Sequence, residues 1–270
     1  MKVVVAFLCL LALLSVLGEN AVESRGIEGR IISGTPAALG QLPWQVILKR
    51  DEMDDLLCGG SIIANNWVLT AAHCTYGLSS IYLIFGTILL DDSKAVSMTS
   101  TSMYIHDNYS SATLNNDVSL IQLPQPLQFS NTIQPIALVP STMASESFIG
   151  TVAIIAGFGL VDDEYMDFSQ TLLYARVDII NNNECLSIFG ADVVVKSTLC
   201  AKGDNGSNMS ICSGDSGGPL IARDANGNYM QIGINSFVAQ DMCTEGYPSG
   251  YVRLTSFLDY IQKITNINFS

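Results

Sequence analysis

The segment Cys212-Ser213-Gly214-Asp215-Ser216-Gly217-Gly218-Pro219 places a hydroxyl, a carboxylate and three glycines within eight residues. Glycines let a backbone turn tightly and approach a ligand closely. A serine hydroxyl is a weak nucleophile by itself; it needs a base, and the base needs an orienting group. Taken alone, the segment reads equally as a Gly/Ser/Asp surface turn, so its meaning depends on partners elsewhere in the chain.

Two partners stand upstream. His73 lies in Trp67-Val68-Leu69-Thr70-Ala71-Ala72-His73-Cys74, where the neighbouring cysteine offers a way to fix the backbone beneath an imidazole. A lone histidine is more often structural, but a nucleophile candidate downstream favours catalysis. Asp117 lies in Asn115-Asn116-Asp117-Val118-Ser119-Leu120-Ile121-Gln122-Leu123, at the mouth of an apolar strand. An aspartate there is a turn or cap residue, or the buried anion that orients an imidazole. The second histidine, His106, sits in a polar stretch and reads as a loop residue.

The 270 residues are 49% hydrophobic and 14% charged, enough for a large core in one domain or two small lobes. Short Val/Ile/Leu/Tyr runs punctuated by Gly, Pro, Asn and Ser predict an all-β barrel or sandwich. Strands are expected at 42–48, 81–90, 96–105, from Val152, over 231–237 and at 250–253. Leu123 to Pro140 reads as a connection between lobes, and Val161 to Asp167 as an acidic loop. Phe257, Tyr260, Ile261 and Ile264 recur at helical spacing after Thr255 and Ser256, which are candidate caps. That apolar face is expected to dock on the second lobe.

Lys2 precedes the apolar run Val3 to Leu17, which ends at Gly18 before Glu19-Asn20. This is the pattern of a secretory signal peptide over residues 1–18, and the run is shorter than the ~20 residues of a membrane span. The polar residues 19–30 end at Arg30, before Ile31-Ile32-Ser33-Gly34. A trypsin-like protease cutting after Arg30 would free an α-amino group on Ile31, available to a buried carboxylate. Of seven cysteines, Cys9 leaves with the signal peptide. The remaining six are Cys58, Cys74, Cys185, Cys200, Cys212 and Cys243. An even count in an oxidising compartment suggests three disulfides, with 15 possible connectivities. No CxxC pair and only two histidines speak against a zinc site. The net charge of −13 is unchanged by removing residues 1–30, which carry three basic and three acidic residues. Such a chain repels nucleic acid and anionic membranes.

Together, Ile31-Ile32-Ser33-Gly34, Thr70-Ala71-Ala72-His73-Cys74, Asn116-Asp117-Val118-Ser119-Leu120 and Gly214-Asp215-Ser216-Gly217-Gly218-Pro219 resemble a chymotrypsin-like (trypsin-fold) serine protease over residues 31–270. The order His, Asp, Ser also matches that family rather than subtilisins or α/β-hydrolases. The resemblance implies two antiparallel six-stranded β-barrels, at about 31–140 and 141–254, a helix over 255–267 and a site in the cleft between the barrels. It implies that Ser216 is the nucleophile, His73 the general base and Asp117 its orienting anion, with the N–H groups of Gly214 and Ser216 as the oxyanion hole. Ser236 would hydrogen-bond Asp117. Ile31, freed by cleavage after Arg30, would pair with Asp215 and order the site. The implied disulfides are Cys58–Cys74, Cys185–Cys200 and Cys212–Cys243. The implied partners are protein or peptide substrates, an activating trypsin-like protease and protein protease inhibitors. The implied state is a monomer needing no metal or organic cofactor, with no nucleic acid or membrane partner.

The pocket base by this resemblance is Ser210, not an aspartate, which disfavours Arg or Lys before the cut. Ile211 adds an apolar wall. After Ser236-Phe237, Val238 stands where many members have glycine, and Ser249 replaces another common glycine. Both would shorten the pocket toward an elastase-like preference for small or medium apolar side chains; the alternative is aromatic or Leu side chains. Ser33 and Phe158 also depart from the family's usual glycine and tryptophan. Asn108, Asn205, Asn208 and Asn268 each begin an N-x-Ser sequon. A catalytically dead binding homologue is the competing function, and the presence of His73, Asp117 and Ser216 argues against it.

Overall fold

The computed structural model describes residues 34–161, 167–239 and 242–269. Arg30 and Ile31, the proposed cleavage site, and most of the acidic loop after Val161 fall outside the described residues. Among the described residues, fifteen strands form two sheets, antiparallel except for one two-residue pairing. β1 is Thr35–Pro36, β2 Gln45–Lys49, β3 Cys58–Ala64, β4 Trp67–Thr70, β5 Ile81–Phe85, β6 Val96–Ser100, β7 Ser102–Ile105 and β8 Ser119–Gln122. After β9 (Ala137–Leu138) come β10 (Val152–Gly157), β11 (Leu173–Ile180), helix α1 (Asn182–Phe189), β12 (Thr198–Gly203), β13 (Pro219–Arg223), β14 (Tyr229–Phe237), β15 (Ser249–Arg253) and helix α2 (Leu258–Thr265).

The first sheet runs β6-β5-β2-β3-β4-β8-β7. Its two ends are consecutive in the chain, separated only by Thr101. One stretch therefore pairs with β5 through its first half and with β8 through its second, so the sheet curls toward a barrel through a strand that switches partners. The second sheet runs β11-β10-β13-β14-β15-β12, and an additional β11–β12 pairing closes it into a ring of six. Closure removes the open edges of the second barrel. The expected two barrels are therefore present.

Chain order does not divide the lobes cleanly. β1, at the start of the first lobe, pairs with β11 in the second sheet, and β9, in the connection, lies parallel to β14. Inside, alternate residues of both barrels merge into one apolar core that includes Val46, Leu48, Leu69, Leu83, Ile155, Val177, Leu220 and Ile234. Polar links cross it as well: the Ser61 hydroxyl donates to Gln231 Oε1 at 2.7 Å, with both side chains buried. The strand expected over 81–90 stops at Phe85, and Gly86 follows with a left-handed φ of 75°. Cys58–Cys74, Cys185–Cys200 and Cys212–Cys243 are disulfide-bonded, the pairs that the resemblance implies.

Two helices differ from expectation. α1 has no counterpart in the sequence reading; Asn181 caps it by accepting from Asn183 N at 2.9 Å. α2 begins at Leu258 rather than 255, because Leu254 to Ser256 form a 3₁₀ turn. Phe257 is its N-cap and makes no side-chain cap bond. Its apolar face buries Phe257, Leu258 and Ile261, but the helix also reaches the first lobe. The Tyr260 hydroxyl donates to Tyr104 O at 2.7 Å, and the His106 ring sits edge-on between Phe257 and Tyr260. The aromatic positions explain this: one helical face carries both the apolar anchor and the phenol that crosses over. His106 is thus a packing residue on the turn after β7. No helix among the described residues is long and apolar enough to cross a membrane.

Ile261 has no exposed surface and lies where the helix meets the common core. Ile261→Ala removes buried methylenes and leaves a cavity, so denaturant unfolding should show a loss of about 2–5 kcal/mol.

Candidate active site

His73 is carried on the 3₁₀ turn Ala72–Cys74 that immediately follows β4. The disulfide from Cys74 to Cys58 at the start of β3 ties this turn down. Both sulfurs and a His73 ring nitrogen lie within 4.8 Å of one another. Because the sulfurs are bonded to each other, they offer no thiolate to a metal, and the cluster is a brace beneath the imidazole.

Asp117 holds that imidazole. The carboxylate has no exposed surface. Its Oδ1 accepts from His73 N at 2.9 Å and its Oδ2 lies 2.8 Å from His73 Nδ1. Oδ2 also accepts from the Ser236 hydroxyl at 2.7 Å, a donor at the end of β14 in the other barrel. A carboxylate can only accept, so Nδ1 carries the proton and Nε2 of the neutral ring is left as an acceptor. The His73 side chain is 25% exposed, so the imidazole is held on its Nδ1 side and partly open to solvent. Asn116, just before Asp117, has φ 57°, a conformation asparagine tolerates better than most residues.

Ser216 is half-buried on the turn entering β13. Its carbonyl accepts from Gly59 N on β3 at 2.7 Å. Next to it, Gly217 adopts φ 80°, and a Cβ there would lie 2.1 Å from Thr70 Oγ1. Thr70, three residues before His73, itself donates to Gly59 O at 2.8 Å. The first barrel therefore meets the Ser216 turn through β3 and β4, the two strands that precede the His73 turn. Among the described residues the Ser216 hydroxyl forms no hydrogen bond to His73; what is fixed is the backbone on each side of the pair. Gly214 has φ 95°, and a Cβ on it would come within 3.0 Å of Leu56, Phe168 and Gly159. Only glycine fits that position.

Asp215, between Gly214 and Ser216, is fully buried; its oxygens accept from Gly159 N at 2.8 Å and Cys212 N at 2.9 Å. Burial pushes its carboxyl up to about 7, against the two backbone donors that pull it down. No basic side chain among the described residues pairs with it.

The expected pocket residues are close to one another in the second barrel. Ser210 and Ile211 are buried just before Cys212, and Val238 packs on the cluster around the Cys212–Cys243 disulfide. Ser249 is 1% exposed, and its hydroxyl lies 2.7 Å from the buried Tyr251 hydroxyl. Phe237 packs edge-on against Phe189 and over Gly250. The sequence reading missed Thr70, Gly59 and Asn235, which hold the Ser216 turn from both barrels. The one available signal was the asparagine in the otherwise apolar run Ile232-Gly233-Ile234.

The raised carboxyl of Asp215 has a consequence for stability. The native chain keeps a proton there between about pH 4 and pH 7 that the unfolded chain releases. Its contribution therefore falls as pH rises through that window. Asp215→Asn carries no such charge. In the uncleaved chain, melting temperatures should show the variant gaining on the parent from about pH 4 to about pH 7 and holding level above it; a constant difference across that range would contradict the burial argument.

Comparison with known proteins agrees with this geometry. Residues 31–261 match the family described as Trypsin. The chain is 36% identical to brachyurin of Leptuca pugilator over 239 residues, covering 88% of this chain and 99% of that protein. It is 34% identical to a collagenase of Hypoderma lineatum over 271 residues, covering both chains completely. A solved structure of HL collagenase superposes with a TM-score of 0.77 at 33% identity, covering 88% of this chain and all of that one. The chain belongs to the trypsin family of serine endopeptidases.

Proposed function

We propose that the protein is a secreted endopeptidase made as an inactive precursor, activated by cleavage after Arg30, that hydrolyses peptide bonds through an acyl-enzyme on Ser216. The observation that carries this reading is the buried Asp117 carboxylate, held by His73 from one barrel and Ser236 from the other. Ser216 Oγ attacks the scissile carbonyl while His73 Nε2 takes its proton. The negative oxygen is stabilised by the N–H groups of Gly214 and Ser216. His73 then protonates the leaving amine, which breaks the C–N bond. Water attacks the acyl group by the same route and frees Ser216. Asp117 keeps the imidazole in the tautomer that can accept, and stabilises its charged form. Loss of one oxyanion donor in such chemistry costs about 3–4 kcal/mol.

The activation step rests on Asp215. A buried carboxylate without a cation is unfavourable, and its backbone neighbours belong to the loop that carries Gly214 and Ser216. The α-amino group of a freed Ile31 would supply the cation and hold that loop in its working shape. An Ile31→Gly chain should be cut after Arg30 at the normal rate yet stay weakly active, as read by peptide hydrolysis. Full activity in that variant would remove the switch from the account.

For the residue before the cut, we favour small or medium apolar side chains. Ser210 brings no carboxylate to the pocket base, Ile211 and Val238 are apolar, and Ser249 occupies space that glycine would leave. One methylene in such a pocket is worth only ~1–3 kcal/mol, so selectivity is broad. One relative is named a collagenase, and collagen belongs among the protein substrates to be tried. Hydrolysis of peptides differing only at the position before the cut, measured after cleavage at Arg30, should favour Ala or Val over Phe and Arg; dominance of Phe or Leu would assign the pocket to aromatic and large aliphatic side chains instead.

A further inference from the structure

Asn235 is out of character with its strand. β14 brings Ile232, Ile234 and Asn235 into the interior, and Asn235 has no exposed surface. Its backbone brackets the Ser216 turn: Asn235 N donates to Gly218 O at 2.9 Å, and Asn235 O accepts from Gly217 N at 2.8 Å. Its side chain goes further, donating from Nδ2 to the carbonyl of Asp215 at 2.9 Å. Two oxygens in that place would repel, so the nitrogen must face Asp215. The other end of the carboxamide, Oδ1, is buried without a hydrogen-bond partner among the described residues. An unpaired buried acceptor is destabilising. An apolar side chain would suit the strand better, so stability of the fold does not account for the residue.

The Asp215 carbonyl shares its peptide plane with the Ser216 N–H. In a trans peptide the two point in opposite directions and the plane is rigid. A donor that fixes the carbonyl toward β14 thereby fixes the Ser216 N–H away from it. Gly218 N donates to the same carbonyl at 3.1 Å. Two donors on one carbonyl polarise the peptide and strengthen its N–H as a donor. We propose that Asn235 is a positioning residue for the reaction: through the Asp215 carbonyl, its carboxamide sets the direction and strength of the Ser216 N–H toward the developing oxyanion. This rests on the reading of that N–H as an oxyanion donor.

The test uses the full chain cleaved after Arg30, with Asn235→Leu as a polar-free replacement of similar shape and Asn235→Val as a smaller second choice. The expected result is a roughly tenfold fall in kcat, the scale of one hydrogen bond, with KM within about twofold of the parent. Affinity for a peptide boronic acid, whose adduct on Ser216 places an oxygen in the hole, should fall by the same factor. The melting temperature should not drop. A folded variant with kcat and boronate affinity within about twofold of the parent overturns the inference, as does failure of both variants to fold, since the carboxamide is argued to be dispensable for folding. A serine-directed phosphonylating reagent separates the two levels. A parent that it leaves unlabelled at Ser216 sinks the underlying site reading and this inference with it; a labelled parent beside an unaffected variant sinks this inference alone.

Discussion

A carboxylate removed from water must collect its hydrogen bonds from whatever encloses it, and at Asp117 the enclosure is made by both barrels. His73 offers a backbone N–H and Nδ1–H from the turn after β4; Ser236 offers a hydroxyl from the end of β14. Leaving such a group short of donors is costly, so the barrels are held in the one relation that supplies all three. The same requirement fixes the imidazole tautomer. Packing and side-chain orientation are thus coupled at one buried group.

The Ser216 turn is held by a second set of constraints, mostly backbone. Gly59 approaches from the first barrel and Asn235 from the second. The glycines on either side of Ser216 are required by positive φ and by contact distances that exclude a side chain. A side chain placed this way has little freedom of its own, because the peptide planes beside it are clamped. Asp215, in the middle of the turn, is the exception. It is buried with backbone donors but no basic side-chain partner among the described residues.

Much of this was legible in the chain. The four motifs sit in strict order, and turn residues between short apolar runs announce an all-β barrel or sandwich, which the family resemblance narrows to two barrels. Other features resisted reading for identifiable reasons. The two-residue strands β1 and β9 have too little sequence to show a period, and their partners are far away in the chain. α1 starts at a run of asparagines, poor helix formers whose capping role depends on the local backbone. The apolar face of α2 was visible, but the hydroxyl of Tyr260 decides that the helix also meets the first lobe.

By itself, the amino-acid order determined which groups are present and which local shapes they permit: a hydroxyl beside glycines, an imidazole beside a cysteine, a carboxylate ahead of an apolar strand, six cysteines beyond Cys9. These are matters of side-chain chemistry and short-range sterics, which spacing records. Tertiary structure alone decided which carboxylate is shielded, that Ser236 reaches across to Asp117, and that Asn235 turns its amide toward the Asp215 carbonyl. Those outcomes depend on residues 20 to 119 positions apart sharing a few ångströms. Only the folded barrels bring such residues within the reach of a hydrogen bond.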